Sequence, residues 1–433
     1  MTAPIPTVSA LETDTVERAW RPWIWGVVVA AILLRLRHFA MNPAVWIDEL
    51  WLLRNIVRKN FAEMLGPLTD VQAAPPAFLW VEHAISLAFG DNIFALRIPP
   101  LLASCAMIVL LALLGRGLIR SPALVVALVL TGFSDKLLDY TCETKPYVVD
   151  GLVGIALSVV FRATQSWSHP KRLLLFAGLA PLVLFTSYAG IYVYGGIFLA
   201  LLPDAWAQRR QRNAWLGWLV LMAAVAGTFY YLLTGPIHAQ RTPLMEAYWQ
   251  DYPDWRKPWI VPFWSINVFV QYIERLWRPT GFLLLVPIVV GATVLWRRGR
   301  RTELVLLIAP VLLAMFAAWL RKYPFETRLL VFNAGQLMLL AGEGLIEIGL
   351  WFKAFSATPD QNPKSLGWKR MTQIAVCIAG IALVIPLGHT IKHTVFLRKR
   401  PPELWPESPT KPGPINVGPT GYKLTVAEQN PVK

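Results

Sequence analysis

The chain has 433 residues, of which 55% are hydrophobic and only 15% charged, with a formal net charge of +15. Soluble domains carry about 25% charged residues, and the apolar runs recurring from residue 22 to residue 388 exclude a soluble globular protein in favour of a polytopic membrane protein. The basic excess is not that of a nucleic-acid binder, because Lys and Arg cluster in short loops between apolar runs, as positive-inside anchors do.

In hydrocarbon each backbone polar group needs an internal partner, so runs of this length read as helices rather than barrel strands. Cys105, Cys142 and Cys377 are far apart and give neither a disulfide framework nor zinc spacing. Residues 1–19 carry acids and no basic n-region, so they read as a cytoplasmic lead, not as a cleaved signal. The first span covers about 20–40, with an apolar core from Trp23 to Leu34 and with Arg35, Arg37 and His38 at its far end, where long side chains snorkel to the interface.

Residues 41–92 form the first outer loop. It opens on Trp46-Ile47-Asp48-Glu49 and holds two amphipathic helices, about 48–60 and 76–90. The second is too short to span and contains Glu82 and His83, so it lies along the interface. Further spans follow at about 93–115, 121–138, 147–163, 171–187, 189–204, 214–233, 279–296, 303–320, 328–350 and 371–390. With 76–90 left off this series, the basic loops at 116–120, 162–172, 209–212, 297–301 and 353–370 all fall on the side of the N-terminus. The positive-inside rule therefore favours about eleven spans with a cytoplasmic N-terminus. Arg398, Lys399 and Arg400 are the exception. The transmembrane domain runs over 20–390, with a long outer loop at 234–278 and a Pro-rich outer tail at 391–433.

Three polar sites share the outer side. Asp48-Glu49 is the first. The second is the run from Asp139 to Asp150, with Glu143, Lys145, Pro146 and Tyr147 within it. Pro146 suits a first helical turn, and Asp150 near that N-terminus is also explained by the helix dipole alone. The third runs from Arg321 through Tyr323 to Arg328. Arg328 reads either as a headgroup anchor or, through its planar fork, as a phosphate ligand. In the long loop, Tyr248, Trp249, Tyr252, Trp255 and their neighbours fit an interfacial belt, and Arg241, Arg256, Lys257 and Arg278 are candidates for headgroup or donor contacts. Carboxylates at the membrane surface with a cation at headgroup depth suit attack of a hydroxyl on a lipid-phosphate-linked sugar: one carboxylate takes the proton, and a cation or metal ion holds the charge of the leaving phosphate.

Trp46-Ile47-Asp48-Glu49, then Gln72-Ala-Ala-Pro75-Pro76-Ala-Phe78, then Phe89-Gly90 with Leu96-Arg97, resembles the protein mannosyltransferase and aminoarabinose transferase superfamily of GT-C membrane glycosyltransferases. Glu143-Thr-Lys145-Pro-Tyr147 with Asp150, and Tyr323-Pro-Phe325 with Arg328, are similar to later motifs of its bacterial members. The resemblance covers roughly 45–350. It implies an all-α GT-C fold with interfacial helices in the first outer loop, a polyprenyl-phosphate sugar as donor, and an active site on the outer face of the cell (inner or plasma) membrane. The acceptor is a glycan, lipid or protein, and no nucleic acid is involved. It puts Asp48 in the place of the catalytic acid and Asp150, with Glu143 as fallback, in that of the second. Where some members carry Lys or His before the second interfacial helix, this chain has Ala74 or Pro75, so a phosphate or metal contact is lost there, and Gln72, Lys145 and Arg328 are the candidates to replace it.

The expectation is an inverting transferase. Asp48 is its base, and Glu49 and Asp150 orient the acceptor. Lys145, Arg328 and Tyr323 hold the donor phosphate, with Glu143, Gln72, Arg97, Tyr147 and Arg278 as further candidates. A divalent metal ion on Asp48 and Asp150 is a candidate cofactor. The competing readings are a transporter or lipid-linked sugar flippase, whose polar sites belong near the midplane, and a surface-polysaccharide polymerase or ligase.

Overall fold

The computed structural model describes residues 10–357, 363–392 and 394. Residues 1–9 of the expected lead, and the Pro-rich tail from 395, lie outside the described residues. Among those described, the secondary structure is helical. The first helix, α1 (Ala10–Ala40), starts inside the stretch expected to be a lead.

The 41–92 loop folds as its periodicity predicts, into α2 (Ile47–Arg58) and α3 (Pro76–Phe89). Pro76 starts α3, where a missing N–H costs nothing, and Gly90 ends it with φ +69°, a conformation that favours glycine. The two helices share a small apolar core of their own, built on Leu52, Leu53, Ile56, Met64, Phe78 and Leu79. Val81, Leu87 and Phe89 of α3 stay exposed, as on an interfacial helix.

The chain then runs through α4 (Ile93–Leu96) and α5 (Ile98–Gly115), α6 (Ser121–Gly132) and α7 (Asp135–Asp139), α8 (Tyr147–Ala163), α9 (His169–Thr186), α10 (Gly190–Ala207) and α11 (Arg212–Thr234). The long loop holds α12 (Pro236–Gln240), α13 (Pro243–Tyr248) and α14 (Val261–Leu276), and it is followed by α15 (Leu285–Arg297), α16 (Arg301–Trp319), α17 (Ala334–Ala357) and α18 (Pro363–Ile391). Each predicted span falls on helix. Among the described residues, six helices are long and apolar enough to cross a membrane, or up to eight if the bent pairs α6–α7 and α14–α15 each count as one span. The remaining predicted spans coincide with α8, α9 and α17, which are shorter or carry more charge. With Leu102, Leu182, Leu219, Val289 and Leu312 all more than half exposed, the bundle presents the apolar exterior of a multi-pass membrane protein.

Helices α15 and α17 pack by glycine. A Cβ on Gly291 would run into the Leu340 carbonyl, and one on Gly344 into that of Pro287. Small residues at such crossings let backbones approach closely where no hydrophobic effect drives helices together. The basic loops gather at one end of the bundle. Arg116 pairs with Glu17 at 3.0 Å, Arg120 with Glu343 at 2.8 Å and Arg298 with Glu343 at 2.9 Å. Arg97 and the first outer loop lie at the other end of α5.

Candidate active site

Asp48 sits in the first turn of α2, beside the mouth of a cavity of about 970 Å³. Four side chains from three separate stretches meet its carboxylate. Lys145 Nζ lies 3.1 Å from Oδ1, and Gln72 Nε2 donates to the same oxygen at 3.1 Å. Arg328 Nη1 and the Tyr147 hydroxyl donate to Oδ2 at 3.1 and 3.2 Å. Gln72 also accepts from Lys145 Nζ at 2.5 Å through Oε1, so one amide orients both the carboxylate and the ammonium.

The charges set each other. Burial alone would raise the Asp48 carboxyl, but Lys145 and then Arg328 outweigh it and hold Asp48 below its ordinary value. Burial lowers Lys145 more than Asp48 restores it, so this ammonium loses its proton more readily than a free lysine does. Arg328 lies on a 3-10 turn, Thr327–Leu329, ahead of α17 rather than in a helical first turn. That offset brings its guanidinium over the Trp249 ring at 4.9 Å.

Asp48, Gln72, Lys145, Tyr147, Asp150, Tyr323 and Arg328 all line the one cavity. Asp150 is in the first turn of α8, and one of its oxygens, Oδ1, is buried without a hydrogen-bond partner. Tyr323 lines the wall, with its hydroxyl given to the Leu329 carbonyl at 2.7 Å.

Four sequence candidates fall elsewhere. Glu49, one residue from Asp48, points away from the cavity into a two-pronged pair with Arg97 at 2.7 and 2.9 Å, and it also accepts from the Thr144 N–H at 3.0 Å. Adjacent residues on a helix cannot face the same way, so Glu49 is a buried brace and not a group that orients acceptor. Arg97 is spent on Glu49, Asn42 and Pro43. Glu143 is half-buried, its carboxyl pushed up to about 7 by desolvation and then by Glu49, and it does not line the cavity. Arg278 is exposed at the α14–α15 elbow.

The donor set does not fit a divalent ion on Asp48 and Asp150. Asp48 already faces two cations at 3.1 Å, which would repel a third positive charge. Among the described residues no group of three His, Cys, Asp or Glu is arranged for a metal.

Away from the charges, the cavity runs between helices along Phe198, Phe229, Leu233, Leu313, Phe316 and Leu320. The structure also brings in residues that the sequence did not single out. Tyr188 and Tyr192 come from the α9–α10 junction, where a run of tyrosines in an apolar segment was the only signal. Gln240 of α12 is fully buried, accepts from the Ala74 N–H at 3.1 Å and donates to the Ala74 carbonyl at 3.2 Å. It thereby ties the long loop to the strand-like stretch that carries Gln72.

No family model matches the chain, and no curated protein sequence matches it. Its fold does have solved counterparts, and they define the class: an all-α GT-C architecture shared with membrane glycosyltransferases. The crystal structure of ArnT from Cupriavidus metallidurans bound to undecaprenyl phosphate aligns with a TM-score of 0.50 at 14% identity, over 86% of this chain and 75% of that one. ArnT in the apo state gives 0.50 at 16% identity, over 87% and 69%. The apo oligosaccharyltransferase of Archaeoglobus fulgidus gives 0.50 at 12% identity over 85% of this chain, which spans 56% of that longer protein.

Proposed function

We propose that the chain is a membrane glycosyltransferase that moves a sugar from a polyprenyl-phosphate donor to an acceptor hydroxyl at the outer face of the membrane. One observation carries this reading: a carboxylate clamped between a lysine and an arginine at the charged end of a long, largely apolar cavity. The cavity's apolar length suits a prenyl chain, and its two cations suit the phosphate at the end of one. The GT-C fold, and undecaprenyl phosphate in the ArnT structure, support the same donor class.

In the reaction, the acceptor hydroxyl gives its proton to Asp48 as its oxygen bonds to the anomeric carbon. The bond from that carbon to the phosphate oxygen breaks, and the phosphate leaves with the electron pair. Lys145 and Arg328 hold the charge that develops on it, as fixed cations in a water-poor site do best. A single displacement inverts the anomeric centre. Asp150 lies along the same wall, placed to accept from a sugar or acceptor hydroxyl.

The test is Asp48→Asn. The amide keeps the shape but takes no proton, and loss of a general base costs about 10²–10⁴ in rate. Transfer of radiolabelled sugar from polyprenyl phosphate should fall by that much while folded protein in the membrane is unchanged. Undiminished transfer would remove Asp48 from the mechanism.

A further inference from the structure

A second cavity, of about 520 Å³, opens beside the first and is lined by Arg241, Glu246, Trp249, Gln250, Tyr252 and Arg321. Four of these, Arg241, Glu246, Trp249 and Tyr252, also line the main cavity. The two spaces are therefore walled in part by the same four side chains, among them Trp249, whose ring carries the Arg328 guanidinium. The lining is unlike that of the prenyl-sized channel: two aromatic rings and four planar polar or charged side chains, with two arginines to one glutamate. Its volume is that of a small-ligand cleft.

Arg321 is the telling residue. Helix α16 ends in a Schellman motif: the Arg321 N–H bonds the Ala318 carbonyl and the Lys322 N–H bonds that of Ala317, both at 2.9 Å. That motif places its next residue in the left-handed region and normally uses glycine there. Here it is Arg321, with φ +56°. A strained position filled by a long cation invites a functional explanation. The guanidinium reaches the Pro253 carbonyl only at 3.5 Å. Arg241 pairs with Glu246 at 2.7 Å, but both are about half exposed, and such a pair opens easily.

We propose that this outer cavity is the acceptor site and that it takes an anionic saccharide, a sugar bearing a carboxylate or a phosphate. The inference rests on the transferase reading and adds the acceptor class to it. Arg321 and Arg241 grip the anion through paired N–H groups, Trp249 and Tyr252 offer ring faces to the sugar, and Glu246 and Gln250 take its hydroxyls. An acceptor held there has its free end directed past Trp249 toward Asp48.

Calorimetric titration of the full chain in phosphatidylcholine nanodiscs tests this with three probes: digalacturonic acid, glucose 6-phosphate and maltose. At least one of the two anions should bind about tenfold more tightly than maltose, the worth of one charge-assisted contact, and the tighter of the two says which anion is recognised. Arg321→Gly should erase that preference while its thermal midpoint stays level or rises, because glycine relieves the left-handed strain. Arg321→Asn, also tolerated there, should do the same. Equal affinity for all three probes, or a preference that survives both variants, overturns the proposal. Binding is read without donor, so its outcome is independent of the transferase reading. A missing preference alongside a dead Asp48→Asn enzyme removes only the acceptor class. An active Asp48→Asn enzyme removes the mechanism and leaves the anion site to stand or fall on the titration.

Discussion

With both oxygens engaged by Lys145, Gln72, Tyr147 and Arg328, Asp48 is fully ionised and, for the same reason, a weak base. Its two cations are also the groups a lipid phosphate would seek. On the proposed transferase reading, a bound donor would compete for Lys145 and Arg328, loosen their hold on Asp48 and make the carboxylate more basic at the point where it would take a proton. The acid limb of kcat/KM reports the free enzyme, and that of kcat the complex. The first should lie below the ordinary aspartate value of 3.8, the direction Asp48 takes here, and the second should lie above the first. Lys145→Met removes the largest charge holding Asp48 down, so the kcat/KM limb should move to higher pH. Coincident limbs in the native enzyme, or an unmoved limb in the variant, would break this coupling.

At the scale of elements, the loop that carries α2 and α3 is held in place by the residue beside Asp48. The Glu49–Arg97 pair joins α2 to the α4–α5 junction, and Thr144 joins the same carboxylate from the stretch ahead of α8. Both partners are almost fully buried, and removing one partner of such a pair costs roughly 3–5 kcal/mol, because the other charge is left alone. Glu49→Ala should therefore lower the thermal midpoint and the folded yield, whereas Glu49→Leu with Arg97→Leu should recover most of the loss. A Glu49→Ala protein as stable as the native one would show that the pair is no brace. This distinction between neighbouring acids could not be read from the sequence: both lie in the first turn of the same helix, and only the direction of the helix turn separates them. The helices α2 and α3, the helical character of the apolar runs and the meeting of Asp48 with Lys145 and Arg328 were legible, because periodicity, proline placement and charge in loops are local signals. Gln240 and the outer cavity were not, since they depend on how a loop some 166 residues downstream folds back over Ala74.

For the whole molecule, the position of the site relative to the membrane follows from which end of the bundle faces the cytoplasm. The loops around Arg116, Arg162, Arg298 and Arg300 lie together, with Arg162 bonding the Arg116 carbonyl at 2.9 Å and Arg300 that of Gly117 at 3.3 Å. Asp48 lies past the opposite end of α5. Clustered cations in short loops are retained on the cytoplasmic side, so the cavity mouth and the 241–256 segment should face outward, where a polyprenyl-linked sugar would be presented after crossing the bilayer. Single cysteines test this in a background with Cys105, Cys142 and Cys377 replaced by serine. Gln250→Cys, on the exposed lip of the outer cavity, should react with a membrane-impermeant maleimide in intact cells. Arg297→Cys, exposed at the end of α15, should react only after permeabilisation. The reverse pattern would place Asp48 on the cytoplasmic side, and the donor would then have to be used before it is flipped.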